Sequence, residues 1–125
     1  MKQIAKLIIT CLVIISTVFA QDTTATYFEK GPNGMIRFYY DNDYFLINKF
    51  CEFQFIERVA GFDISSNKFH GEFKDFDRNG RTILSGNYVS GSKEGDFKAY
   101  YPDGALKWEA TFLNNAPQGP VKYYY

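Results

Sequence analysis

Asp75-Phe76-Asp77-Arg78-Asn79-Gly80 is the segment whose residue types come nearest to chemistry, because it matches the first six positions of a calcium-binding EF-hand loop. Calcium would also need a bidentate carboxylate at position twelve and a hydrophobic residue at position eight. Those places hold Gly86 and Thr82. The corresponding stretch 24 residues on offers Ala99, Tyr101 and Asp103, so the carboxylates do not belong to a repeated unit. The segment is expected to be a solvated hairpin turn, and no metal site is expected.

Three further constellations are weighed against plainer roles. His70 is the only histidine and has no cysteine or second histidine to complete a zinc set. It is read as a surface or turn residue, not as a base, since no Ser or Cys stands in a nucleophile context. The pairs Asp41/Asp43 and Asp75/Asp77 have the residue types for acid and base work on a glycan, but single copies on turns read as turn chemistry. No glycine-rich phosphate loop opens a helix. The sequence therefore predicts no catalytic, metal-binding or cofactor-binding residue, and no enzyme.

The elements that would position these residues follow from the glycines. Gly71, Gly95 and Gly119 stand 24 residues apart and open GEFKDFDRNG, GDFKAYYPDG and GPVKYYY. A fixed period of this size marks one supersecondary unit stacked on copies of itself. Phe73 aligns with Phe97 and Val121, Phe76 with Tyr100 and Tyr124, and Lys74 with Lys98 and Lys122. Between strands, Asn79-Gly80 and Asp103-Gly104 are the pairs that two-residue hairpins favour. One repeat is thus a hairpin plus its link to the next, over 71–94, 95–118 and a partial 119–125. The segment 61–71 resembles the return half of a repeat, with one residue extra relative to 86–95.

Residues 21–60 are predicted to be a capping or degenerate repeat region. Strand candidates are 27–29, 35–40, 44–47 and 50–59, with a Pro-Asn-Gly turn at 32–34. In 50–59 the alternation of Cys51, Phe53 and Phe55 with Glu52 and Gln54 favours strand over helix.

The ends and composition set the context. Residues 1–20 carry Lys2 and Lys6 before the apolar run 7–19 and a small-residue site at Ala20, which reads as a secretory signal peptide too short to span a bilayer. Cys11 lacks the sequence context for lipidation. Without residues 1–20 the chain has 12 basic and 14 acidic side chains, which gives no long-range pull on nucleic acid or an anionic membrane. Only Cys51 would remain, so no disulfide is expected inside the processed chain. Cys51 is read as a small buried residue, with an intermolecular bridge or reactive thiol as the alternatives.

The order Gly-x-Phe-Lys-x-Tyr-Tyr-x-Asp-Gly, followed by an aromatic return strand and a polar turn, resembles the membrane occupation and recognition nexus (MORN) repeat in its bacterial exported variant, including antitoxin-like arrays. The resemblance covers 61–125. It implies an all-β fold: an antiparallel meander of repeated β-hairpins in a single elongated sheet, with an irregular N-terminal cap and Gly71, Gly80, Gly95, Gly104 and Gly119 as structural glycines. It brings no catalytic residue with it. The chain departs from the pattern at Val121, where Trp or Phe is usual, and in ending one strand into a third repeat.

Aromatic residues remain as candidate contacts. Tyr100, Tyr101, Trp108, Tyr123 and Tyr124 would meet a protein partner or stack on sugars, or would cover a thin sheet. Lys74, Lys98 and Lys122 form a ladder beside them. The function expected is a non-enzymatic exported interaction or scaffold module of the cell envelope, periplasmic, outer-surface or secreted. Its partner would be another protein or a second copy through the 123–125 edge. The alternatives are a glycan- or lipid-headgroup-binding module and an antitoxin- or immunity-like binding protein.

Overall fold

The computed structural model describes residues 25–125; the signal-peptide reading of 1–20 lies outside the described residues. The chain forms one open antiparallel sheet in meander order. Its strands are β1 (Phe28–Lys30), β2 (Ile36–Tyr40), β3 (Ile56–Asp63), β4 (Lys68–Phe76), β5 (Thr82–Val89), β6 (Ser92–Lys93), β7 (Gly95–Tyr100), β8 (Leu106–Leu113) and β9 (Ala116–Tyr123). The first and last long strands are not joined, so the sheet has two edges, β1 and β9.

Alternation sorts the side chains of each strand onto two faces. On one face a row crosses the sheet through Ile36, Ala60, Phe73, Gly86, Phe97 and Ala110. Large and small residues alternate along it, so each phenylalanine ring lies over a neighbour that has little or no side chain. A Cβ on Gly86 would sit 2.5 Å from the Phe97 ring, which explains why this place is glycine. Ala60, Phe73 and Phe97 form the buried core, with Phe69, Leu84, Tyr88, Trp108 and Phe112 packed against it. Ring contacts run unbroken from Phe28 through Phe38, Phe69, Tyr88 and Phe97 to Phe112, with centroids 4.8 to 6.2 Å apart. A single-layer sheet thus makes its core from one face of interlocked aromatics.

The period-24 glycines do not sit in turns. Gly71, Gly95 and Gly119 have φ of 79°, 80° and 75° and lie where one strand carries two more residues than its predecessor. They make the same bulge three times, and the bulge needs a left-handed residue.

The hairpin turns also differ from the sequence expectation. Residues 78–80 and 102–104 are three-residue loops closed by Asp77 N–H to the Arg81 carbonyl (2.9 Å) and Tyr101 N–H to the Ala105 carbonyl (2.8 Å). Asn79 and Asp103 are not left-handed; only Gly80 (φ 76°) and Gly104 (φ 90°) are. Two-residue turns occur instead in the links, at Ser90-Gly91 and Asn114-Asn115, where both residues have positive φ. The first link is longer: Asp63 pairs with Lys68 across four residues, against two in the later links. Ala60, rather than Gly61, is therefore the counterpart of Gly86.

The N-terminal region corrects two strand expectations. β3 begins at Ile56, so Cys51, Phe53 and Phe55 lie in the 41–55 connection despite their alternation. Of 44–47, only Leu46 forms a bridge, with Tyr40.

Candidate functional site

Residues 41–45 repeat the hairpin turn without its glycine. Asp41 N–H bonds the Phe45 carbonyl at 2.9 Å and Tyr44 N–H the Asp41 carbonyl at 3.2 Å, as Asp77–Arg81 and Gly80–Asp77 do. Asp41 Oδ1 accepts from the N–H groups of Asp43 and Phe45, and Asp77 Oδ1 from those of Asn79 and Arg81. Tyr40 pairs with Leu46 as Phe76 does with Thr82 and Tyr100 with Leu106. Tyr44 (φ 64°) thus stands where Gly80 and Gly104 stand. A bulky side chain in the left-handed region is strained, so something must hold it there.

That something is Asp75. The Tyr44 hydroxyl donates to Asp75 Oδ2 at 3.0 Å. Arg58, directly across from Asp75 in the sheet, donates from Nε to Oδ1 at 2.7 Å and from Nη2 to Oδ2 at 2.9 Å. The guanidinium is ringed by Phe73, Phe69, Tyr44, Tyr40 and Tyr88, with centroid distances from 4.4 to 6.0 Å. Asp75 is fully buried at 0 % exposure. The expectation of a solvated turn therefore holds for 77–80 but fails for Asp75, which is the deepest charge of the described residues.

Electrostatics reinforce this. Burial opposes the charge on Arg58, yet the hydrogen bonds and charge of Asp75 more than offset it and hold the guanidinium above its ordinary pKa. Tyr44 is pushed up by burial, then by the charge and hydrogen bond of Asp75. Burial also raises Tyr40. Both Asp75 oxygens accept from Arg58, and Oδ2 also from Tyr44, so the cluster ties three elements together as a clamp. In the next unit Leu84 and Ala99 take the places of Arg58 and Asp75, and then come Trp108 and Tyr123.

The carboxylate pairs do not converge. Asp75 points into the aromatic face, whereas Asp41 and Asp77 cap their own turns. Among the described residues no group of three or more His, Cys, Asp or Glu could hold a metal. His70 is exposed on β4, where its backbone carbonyl leaves no room for a Cβ on Gly61. Cys51 is buried and is not a free thiol.

The opposite face carries a different row: Arg37, Val59, Lys74, Ser85, Lys98, Glu109 and Lys122. Lys74, Lys98 and Lys122 are exposed and have no hydrogen-bond or ion-pair partner among the described residues. The carboxylates around them are mostly engaged. Glu57 pairs with Arg37 at 3.0 Å, Asp96 accepts from the Thr111 hydroxyl at 2.9 Å, and Glu109 from the Tyr124 hydroxyl at 2.8 Å. Towards β1, Glu29 is bonded by Tyr39 and, at 3.0 Å, by Lys49; the Tyr39 bond and then that of Lys49 lower the Glu29 pKa. Three hollows of about 420, 440 and 370 Å³ follow the lysine row. Lys74 borders the first two, with Phe76 in one and Tyr100 in the other; Lys98 and Lys122 border the third.

The five candidate contact aromatics divide between the faces. Trp108 and Tyr123 pair across strands on the aromatic face, and Tyr123 is exposed. Tyr100 and Tyr124 belong to the lysine face. Tyr101 sits at the hairpin end, where its hydroxyl bonds the Tyr124 carbonyl at 2.8 Å. They form no single stripe. Sequence reasoning missed Arg58, Tyr44 and the small residues opposite each phenylalanine. The spacing of Asp41 and Asp43, the same as that of Asp77 and Asn79, was the available sign of the hidden turn.

No family model, curated protein or solved structure matches this chain. Among the described residues no helix is long and apolar enough to cross a membrane.

Proposed function

We propose that this chain is a non-catalytic, exported protein-interaction or scaffold module of the cell envelope, related in kind to bacterial MORN-like arrays, and that it binds through its lysine face. One observation carries the reading. The aromatic face is spent on its own core and on the Arg58–Asp75–Tyr44 clamp, while the lysine face presents exposed Lys74, Lys98 and Lys122, which make no ion pair among the described residues, beside exposed or half-buried carboxylates such as Glu109. Such a face, with several hollows in a row instead of one enclosed pocket, suits a macromolecular partner better than a small substrate. The two prolines of edge strand β9, Pro117 and Pro120, have no N–H to offer a further strand. This favours the face over the edge as the contact.

The test is photo-crosslinking in the cells that make the protein. A benzoyl-phenylalanine replaces Ser85, at the centre of the lysine face, or Ile64, in the exposed first link. A discrete protein adduct from position 85 and none from position 64 is the expected result. Adducts confined to glycan or lipid would shift the function to the alternative reading.

A further inference from the structure

Resting on the reading that the lysine face is the contact, we infer that its partner is a second copy of this chain, docked face to face about a two-fold axis perpendicular to the strands. The face carries two rows of unlike character. Lys74, Lys98, Glu109 and Lys122 stand in one, on β4, β7, β8 and β9. Glu72, Asp96, Thr111 and Gln118 stand in the other, on the same four strands in the same order. On β4, β7 and β8 the rows are two residues apart, about 7 Å along the strand. A two-fold axis midway between them turns each row onto the other and leaves every strand opposite its own copy. Lys74 then meets the partner's Glu72, Lys98 the partner's Asp96, Glu109 the partner's Thr111 and Lys122 the partner's Gln118. Each contact occurs twice, and no like charges of the two rows are opposed.

The balance of cations and carboxylates gives this face little net pull on a charged ligand, but it makes the face complementary to itself. Asp96 accepts from the Thr111 hydroxyl through Oδ1 and, as a carboxylate, keeps further acceptor positions for a lysine. An apolar feature agrees with the same axis. Val89 and Leu113 continue the alternation of β5 and β8 past these rows onto this face, and each is 55 % exposed. Tyr100 and Tyr124 lie past the rows at the opposite, hairpin end. The axis carries the hairpin end of one copy onto the link end of the other, so tyrosine rings cover the two aliphatic side chains. Five strands span about 19 Å, which puts the contact at the low end of specific interfaces and makes the dimer reversible and sensitive to salt. Sheet twist splays the outer strands, so Lys98 and Asp96 on the middle strand β7 form the central pair.

Sedimentation equilibrium of the purified protein at low salt tests this by exchanging charges on β7. The natural chain is expected to dimerise, and K98D or D96K alone to raise the dimer Kd about tenfold, because each sets like charges against one another. An equimolar mixture of K98D and D96K is expected to dimerise again, since each chain supplies the charge the other lacks, and D96K/K98D should recover by itself. K74E and E72K repeat the exchange on β4 if a β7 variant fails to fold. A natural chain that stays monomeric, a dimer indifferent to either reversal, or a mixture that does not recover overturns the inference. A monomer that still crosslinks from position 85 to another protein removes the self-pairing and leaves the protein-binding reading in place. Charge-rescued dimers beside adducts confined to glycan would do the reverse.

Discussion

The turn at 41–45 and the turn at 77–81 have the same hydrogen bonds and the same capping aspartate, yet one places tyrosine and the other glycine in the left-handed position. Glycine solves the turn locally. Tyrosine solves it through a contact 31 residues away, since its hydroxyl reaches Asp75. The difference teaches where this fold stores specificity. Regular units rely on backbone freedom and on small-against-large packing. The first unit relies on a buried ion pair, which one side chain from a strained turn helps to close.

The largest expected effect comes from breaking the pair. Asp75→Ala leaves the Arg58 charge buried and unpaired, and should cost about 3–5 kcal/mol in urea denaturation. The double variant R58L/D75A installs the residues that the next unit carries at Leu84 and Ala99, and should recover most of that loss. If the double variant is no more stable than D75A, the equivalence of the two units fails.

Gly104→Val tests the local solution. A β-branched residue at φ 90° should cost about 2 kcal/mol, while His70→Ala on the exposed face of β4 should change the melting temperature little. Equal melting temperatures would contradict the turn's dependence on left-handed backbone. Tyr44→Phe tests the distant solution and is milder, about 1 kcal/mol, because Asp75 Oδ2 keeps its bond from Arg58. Hydrogen exchange at residues 41–46 should quicken in this variant, and unchanged exchange would deny Tyr44 its role as a tie.

The smallest effect is one of pH in the first link. Bonds from Ser65 and Ser66 hold Asp63 at about 2, below its ordinary 3.8. The folded form therefore binds fewer protons than the unfolded one in this range, and the link's contribution is complete above pH 4 and fades as pH falls towards 2. Asp63→Asn should remove this part of the acid dependence in a pH titration of stability.

Much of the architecture was legible because a two-fold alternation and a 24-residue period are properties of the chain itself. The Phe73/Phe97 and Lys74/Lys98/Lys122 alignments translate directly into the two faces. Other features depend on partners far along the chain. Alternation at Cys51, Phe53 and Phe55 gave a strand pattern, but 51–55 pair in no ladder with the strands of the described residues. Asp75 resembled a loop ligand because its arginine lies 17 residues earlier, on another strand. The glycines signalled their period but not their bulge, since a left-handed residue serves turn and bulge alike. The lysine ladder was visible; that its members make no ion pair among the described residues required side-chain positions.

The alternating row of large and small residues carries a consequence for how such a chain can change length. Phe73 faces Gly86 and Phe97 faces Ala110, so a 24-residue cassette spliced into the later links would meet at each seam the same kind of neighbour as before. Removing the cassette that begins at Gly71 would not be neutral in this way, because Arg58 would then face Ala99 with no carboxylate within reach. The array can lengthen or shorten downstream, but its first unit is keyed to what precedes it.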